Sequence, residues 1–160
     1  MYLDALSLLD DERDAWRPFE ALNDLTDDQL ERPVEAANGW RGRDLMAHLV
    51  AWQNLALDVA KELAVNETSK IKALADEEWE RRGGDVINDE ILRDWGSRPL
   101  TDVREAFMNV GGELRGFLTV VPESRWIKDA DNQRFMIDET LDHYEEHRKD
   151  LEAILASAAT

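Results

Sequence analysis

The sequence predicts an all-α fold, an up-and-down four-helix bundle with short extra helices in its connections. Apolar residues recur at three- and four-residue steps over most of the 160-residue chain, the period of one helix face. Only four prolines and eight glycines interrupt that pattern. There is no long alternating strand pattern, low-complexity tract or internal repeat. With 43% apolar residues, the whole of 1–160 is expected to form a single domain around one sizeable core.

Leu6, Leu9, Trp16, Phe19 and Leu22 predict a first helix from Leu3 to about Leu25, kinked or split at Pro18. Thr26-Asp27-Asp28-Gln29 is a capping box, so a short helix begins there and stops before Pro33. Asn38-Gly39 breaks the chain, and a second long helix starts near Arg43. Leu45, His48, Trp52, Leu55, Val59 and Leu63 form its single apolar face, and polar Asn66 to Ser69 end it. Ile71 to Arg82 reads as helix, Gly83-Gly84 as a turn and Asp89 to Trp95 as a short helix. Leu100-Thr101-Asp102 caps the third long helix, whose buried stripe is Val103, Phe107, Val110, Leu114, Phe117, Leu118 and Val121. Pro122 ends it, and Gly111-Gly112 weakens it by ~1 kcal/mol of propensity per glycine. The last helix is expected from Phe135 to Ala156. Met136, Thr140, His143, His147, Leu151 and Ile154 line one face, with Tyr144 and Leu155 alongside. Four long helices with polar outer faces pack naturally as a bundle.

Composition excludes several functions. There is no cysteine, hence no disulfide, thiolate ligand or cysteine nucleophile, which fits a reducing compartment. The start, Met1-Tyr2-Leu3-Asp4, lacks the basic region and apolar run of a secretory signal, and no run approaches the ~18 apolar residues of a membrane span. A cytoplasmic protein without membrane association is expected. A formal charge of −17 repels phosphate backbones, so nucleic-acid binding is not expected.

The chemistry is carried by three histidines, each on an apolar stripe. His143 and His147 are one turn apart, a rise of ~6 Å, so both rings project to one side and can reach one ion. His48, from the middle of another helix, can supply a third nitrogen if the helices pack at ~8–10 Å. Neutral imidazole suits zinc, nickel, iron or copper better than magnesium or calcium. A lone interior histidine is more often a hydrogen-bonded core group than a ligand, but the pair plus a third tips the reading towards metal. Three neutral ligands leave coordination open for water or a thiol, and with no cysteine here that sulfur must come from outside. Asp44 and Glu139, one turn before His48 and His143, are candidates to orient the rings. Tyr144 and Arg148 flank the pair and are the candidates to meet a substrate. The simpler reading of these four is exposed helix charge or a packing phenol. Trp40 and Trp52 bracket His48 and either wall an apolar pocket or fill the bundle.

The run Gly39-Trp40-Arg41-Gly42-Arg43-Asp44-Leu45-Met46-Ala47-His48-Leu49-Val50-Ala51-Trp52 resembles the second-helix pattern of the DinB/YfiT-like metalloenzyme superfamily. His143-Tyr144-Glu145-Glu146-His147 resembles its fourth-helix histidine pair, and Asn88 to Leu100 with the helix that follows resembles the ClbS/DfsB branch. The resemblance implies a bundle with a divalent metal, zinc or nickel first, on His48, His143 and His147. Characterised relatives include thiol-dependent transferases and isomerases that use low-molecular-weight thiols, and cyclopropane hydrolases that protect against colibactin. The implied function is a metal-dependent hydrolase or thiol-dependent transferase acting on a small electrophile, with a low-molecular-weight thiol as a cosubstrate in the second case. The alternatives are a sequestering bundle of the ClbS/DfsB type that binds a small molecule without catalysis, and a structural bundle with satisfied core histidines. The sequence is silent on assembly; related bundles often pair, which puts a homodimer among the implied partners.

Overall fold

A computed structural model describes residues 1–160. It is entirely helical, without strands, and its elements follow the bundle order that the sequence predicts.

The first helix, α1, runs Ala5–Trp16, and the chain then tightens into a 3-10 stretch over Arg17–Asp24 with Pro18 in its first turn. Proline has no N–H to donate, so the split falls where the α-helical ladder loses a bond. Phe19 and Leu22 are nonetheless fully buried. Helix α2, Asp27–Glu31, opens on the predicted capping box: Thr26 Oγ1 accepts from Gln29 N at 3.2 Å, and Gln29 Oε1 accepts from Thr26 N at 2.8 Å. Asn38 and Gly39 both take positive φ, 56° and 80°. That reversal folds the chain back so that Val34 N donates to Trp40 O at 3.0 Å, which fixes Trp40 at the entry to α3.

Helix α3, Gly42–Val65, is the central element and packs most extensively against α6, Leu100–Leu118. Gly42 lets Leu30 of α2 pack closely on α3, since a Cβ would lie 2.6 Å from Leu30 Cδ2 and push it aside. Gly111 lets α1 approach α6, because a Cβ would lie 3.1 Å from Trp16 Nε1. The apolar core has two parts. One gathers Trp16, Phe19, Phe107 and Tyr144; the other gathers Leu63, Leu114, Trp126 and Met136. No helix is long and apolar enough to cross a membrane.

Three boundaries differ from expectation. Helix α4, Lys70–Arg82, is followed at once by α5, Gly84–Gly96, five residues earlier than the predicted start at Asp89. Gly83 alone makes the turn, at φ 83°, so Gly84 is already helical. Helix α6 begins at Leu100 after Pro99, and Thr101 and Asp102 lie inside it rather than capping it. The last helix is neither as short nor as regular as predicted. It starts at α7, Ala130–Ile137, where Asp129 caps Asn132 N at 2.9 Å. It then widens into a π-helical turn over Asp138–Asp142, resumes as α8 over His143–Glu146, breaks at His147, and ends as α9, Arg148–Ala158. Within the π turn Thr140 Oγ1 donates to Met136 O at 2.6 Å, a side-chain bond that competes with the helical ladder.

Candidate metal centre

The π turn and the break at His147 place the pair of histidines. His147 sits at φ −95°, ψ 4°, in the sparsely populated bridge region that active-site residues often occupy. His48 comes from mid-α3 and His143 from the first position of α8; they are 3% and 8% exposed. The three rings form a nearly equilateral triangle with centroid separations of 4.8, 4.6 and 4.9 Å. His48 Nε2 and His143 Nε2 are 2.8 Å apart, and one nitrogen from each of the three rings lies within 4.8 Å of the others.

The electrostatics favour neutral rings at His48 and His143. Burial, reinforced by the neighbouring histidines, lowers the His48 pKa to about 2. Burial and then His147 lower that of His143 to about 3. Metal ligation requires the deprotonated imidazole, and here the fold itself disfavours the proton. The donor set therefore fits a divalent ion of the zinc or nickel type. Asp150 Oδ2 accepts from His147 Nδ1 at 2.8 Å, which turns the other nitrogen, Nε2, to the site. His48 Nδ1 and His143 Nδ1 have no protein hydrogen-bond partner. Those rings are held by packing: Trp40 lies 5.1 Å from His48 and is stacked on His147 at 5.6 Å and 19°, while Trp52 lies 6.5 Å from His48 and 6.3 Å from His143.

The triad opens onto a pocket of about 530 Å³. Trp40, Trp52, Trp79 and Phe135 form aromatic walls, and Asp76, Asp138, Glu139 and Glu146 supply carboxylates. Trp52 Nε1 donates to Asn88 Oδ1 at 3.0 Å, tying the pocket to α5. Glu139 is half-buried, and burial followed by the charges of Asp138, Asp76 and Glu146 pushes its pKa up to about 8.

Of the sequence-predicted residues, the structure gathers His48, His143, His147, Trp40, Trp52 and Glu139 around one pocket. Asp44 is elsewhere engaged: its carboxylate receives Arg41 Nε and Nη2, each at 2.9 Å, and caps Arg41 N at 2.9 Å. Tyr144 points into the core, where its hydroxyl donates to Glu12 Oε1 at 2.8 Å and accepts from Gln53 Nε2 at 2.7 Å. Arg148 is exposed beside Glu145. None of these three lines the pocket: Tyr144 and Arg148 are adjacent to a ligand on the helix and face away from it, while Asp44 shares the face of His48 but is held at the helix start by Arg41. Asp150, Asp76, Trp79 and Asn88 were not anticipated. For Asp150 the signal was available, a carboxylate one turn beyond a histidine; the other three depend on how α4 and α5 fold over the site.

Fold and site together define a helical bundle that gathers three histidines beneath an aromatic-walled pocket. The family model described as Mycothiol maleylpyruvate isomerase N-terminal domain matches residues 5–152, and the chain belongs to that family. The family falls within the DinB/YfiT-like superfamily. No curated protein and no solved structure gives a significant match.

Proposed function

We propose that this protein is a metal-dependent enzyme that turns an external thiol or a water on a small electrophilic substrate, with thiol-dependent transfer or isomerisation favoured over hydrolysis. The observation that carries the reading is the convergence of three imidazoles, His48 Nε2 and His143 Nε2 being 2.8 Å apart, at one wall of a pocket large enough for a small molecule. A divalent ion held there supplies Lewis acidity, which lowers the pKa of a water or thiol that it binds.

The chain's own residues do the rest. His48, His143 and His147 hold the ion, and Asp150 fixes the tautomer and orientation of His147. Trp40 and Trp52 exclude solvent from the rings and keep the site at low dielectric, where charge stabilisation is strongest. The absence of cysteine requires that any sulfur come from a cosubstrate, in keeping with the thiol named in the family's description. The maleylpyruvate of that description is not carried over, because no lysine or arginine lines the pocket to receive a carboxylate.

The test is turnover. Zinc- or nickel-loaded protein is given an electrophile with and without a low-molecular-weight thiol, and loss of free thiol is followed. The reading expects metal-dependent thiol consumption that His143→Ala removes. Tight binding of the electrophile without turnover, surviving chelation, would instead make the protein a sequestering bundle.

A further inference from the structure

The pocket wall has a one-sided charge. Four carboxylates line it and no lysine or arginine does. Two of the four are answered from outside the lining: Lys72 Nζ lies 3.3 Å from Asp76, and Arg134 pairs with Asp138. Glu139 and Glu146 have no cationic partner within ion-pair distance, and Glu139, half-buried with no cation beside it, keeps its proton to about pH 8.

The aromatic part of the wall is equally particular. Trp52 and Trp79 meet nearly at right angles, 76° with centroids 5.5 Å apart, and so build a corner. Trp79 stays 47% exposed although it is a large apolar ring beside a cavity. Its place there is built in: the ring packs on Gly84, where a Cβ would come within 2.5 Å of Trp79 Cη2. Phe135 already carries one cation, Lys72 Nζ, 5.8 Å from the ring centroid. Aromatic faces next to unpaired carboxylates are the standard surroundings of an ammonium group, held by cation–π attraction and by opposite charge. A carboxylate entering the same space meets the carboxylates of the wall and finds the nearby cations, Lys72 and Arg134, already engaged by Asp76 and Asp138, and the overall charge of −17 adds to the repulsion at long range.

Resting on the reading of this pocket as the substrate site, we infer that its preferred organic ligand is a cation: an ammonium carried on an apolar or aromatic body, received by Glu139 and Glu146 within the walls of Trp52, Trp79 and Phe135. Anionic substrates are turned away by the same wall.

The test uses the full-length chain and two probes of matched shape, phenethylammonium and 3-phenylpropionate. Their binding is measured by tryptophan fluorescence or calorimetry at pH 9, above the value of about 8 at which Glu139 ionises and where the ammonium is still largely charged, on metal-free protein so that the carboxylate cannot gain by ligating an ion. The ammonium should bind about tenfold or more tighter. The double variant Glu139→Gln, Glu146→Gln should bring the two affinities close together, with its circular dichroism unchanged. Equal or tighter binding of 3-phenylpropionate overturns the inference, as does a preference that the double variant retains, or failure of both probes to bind. Zinc uptake is scored separately on the same preparation. A protein that takes zinc but prefers the carboxylate keeps the enzyme reading and loses this one; a protein that takes no zinc but prefers the ammonium does the reverse.

Discussion

Asp150 holds His147 by a 2.8 Å bond to Nδ1, and it is the one carboxylate that hydrogen-bonds a ring of the triad; His48 and His143 are fixed by packing alone. The asymmetry has an energetic meaning. His147 is the least buried of the three and follows a break in the helix, so it has the most rotational freedom to lose. Asp150→Ala is expected to weaken metal affinity by about 10–100-fold, with Asp150→Asn between it and wild type because the amide oxygen can still accept. Competition with a chelator of known affinity measures this. An affinity unchanged in Asp150→Ala would mean that the carboxylate does not set the ring.

The pH dependence of metal-free stability has a defined sign. Glu139 holds its proton up to about pH 8 in the fold but has an ordinary value of 4.5 when unfolded. Its contribution is present in full below pH 4.5 and is lost as pH rises towards 8. His48 and His143 act oppositely: the unfolded chain takes up protons near 6.5 while the folded rings resist to about 2 and 3. Their contribution is present above pH 6.5 and lost as pH falls. Chelated wild type should therefore melt lower at pH 8 than at pH 6.5, and Glu139→Gln should flatten that alkaline fall. A variant that keeps the slope would place its origin elsewhere.

Tyr144 is a core residue despite its position beside His143. Its hydroxyl joins Gln53 to Glu12, whose other oxygen receives Arg115 Nη1 at 2.9 Å. Tyr144→Phe strands a buried donor on Gln53 and is expected to destabilise by about 1–3 kcal/mol in denaturant unfolding. Metal affinity should not change, since the phenol does not line the pocket.

Gly84 and Trp79 are coupled by space. Gly84→Ala puts a methyl 2.5 Å from Trp79 Cη2 and 2.7 Å from Cζ2, so the ring must move from the pocket wall. Zinc affinity should hold while the fluorescence response to an aromatic probe falls. A probe response equal to wild type would show that Trp79 does not take part.

Much of this was legible in the sequence. Thr26 and Gln29 announce a helix start because a capping box is a local bond pair, and His48, Trp52, Leu45 and Val59 share a face because helical period is local too. Family resemblance and spacing pointed to the same three rings that the fold brings together. The π turn at Asp138–Asp142 was not legible. No local residue pattern marks it; the buried Thr140 that bonds Met136 O there is a residue type found equally in regular helices. The early start of α5 hinges on which of two adjacent glycines takes positive φ, a distinction that a Gly-Gly pair does not encode. Asp44 illustrates the limit of spacing: it is one turn from His48, yet Arg41 at the same helix start offers it a charged, bidentate partner.

The central claim is that rings from α3 and α8 and the histidine that ends α8 bind one divalent ion. Elemental analysis of zinc-reconstituted full-length protein, with His48→Ala, His143→Ala and His147→Ala alongside, measures it directly. The account predicts close to one ion per wild-type chain and a large loss in each variant. Wild-type protein that carries no ion after reconstitution, or variants that carry as much as wild type, would contradict it.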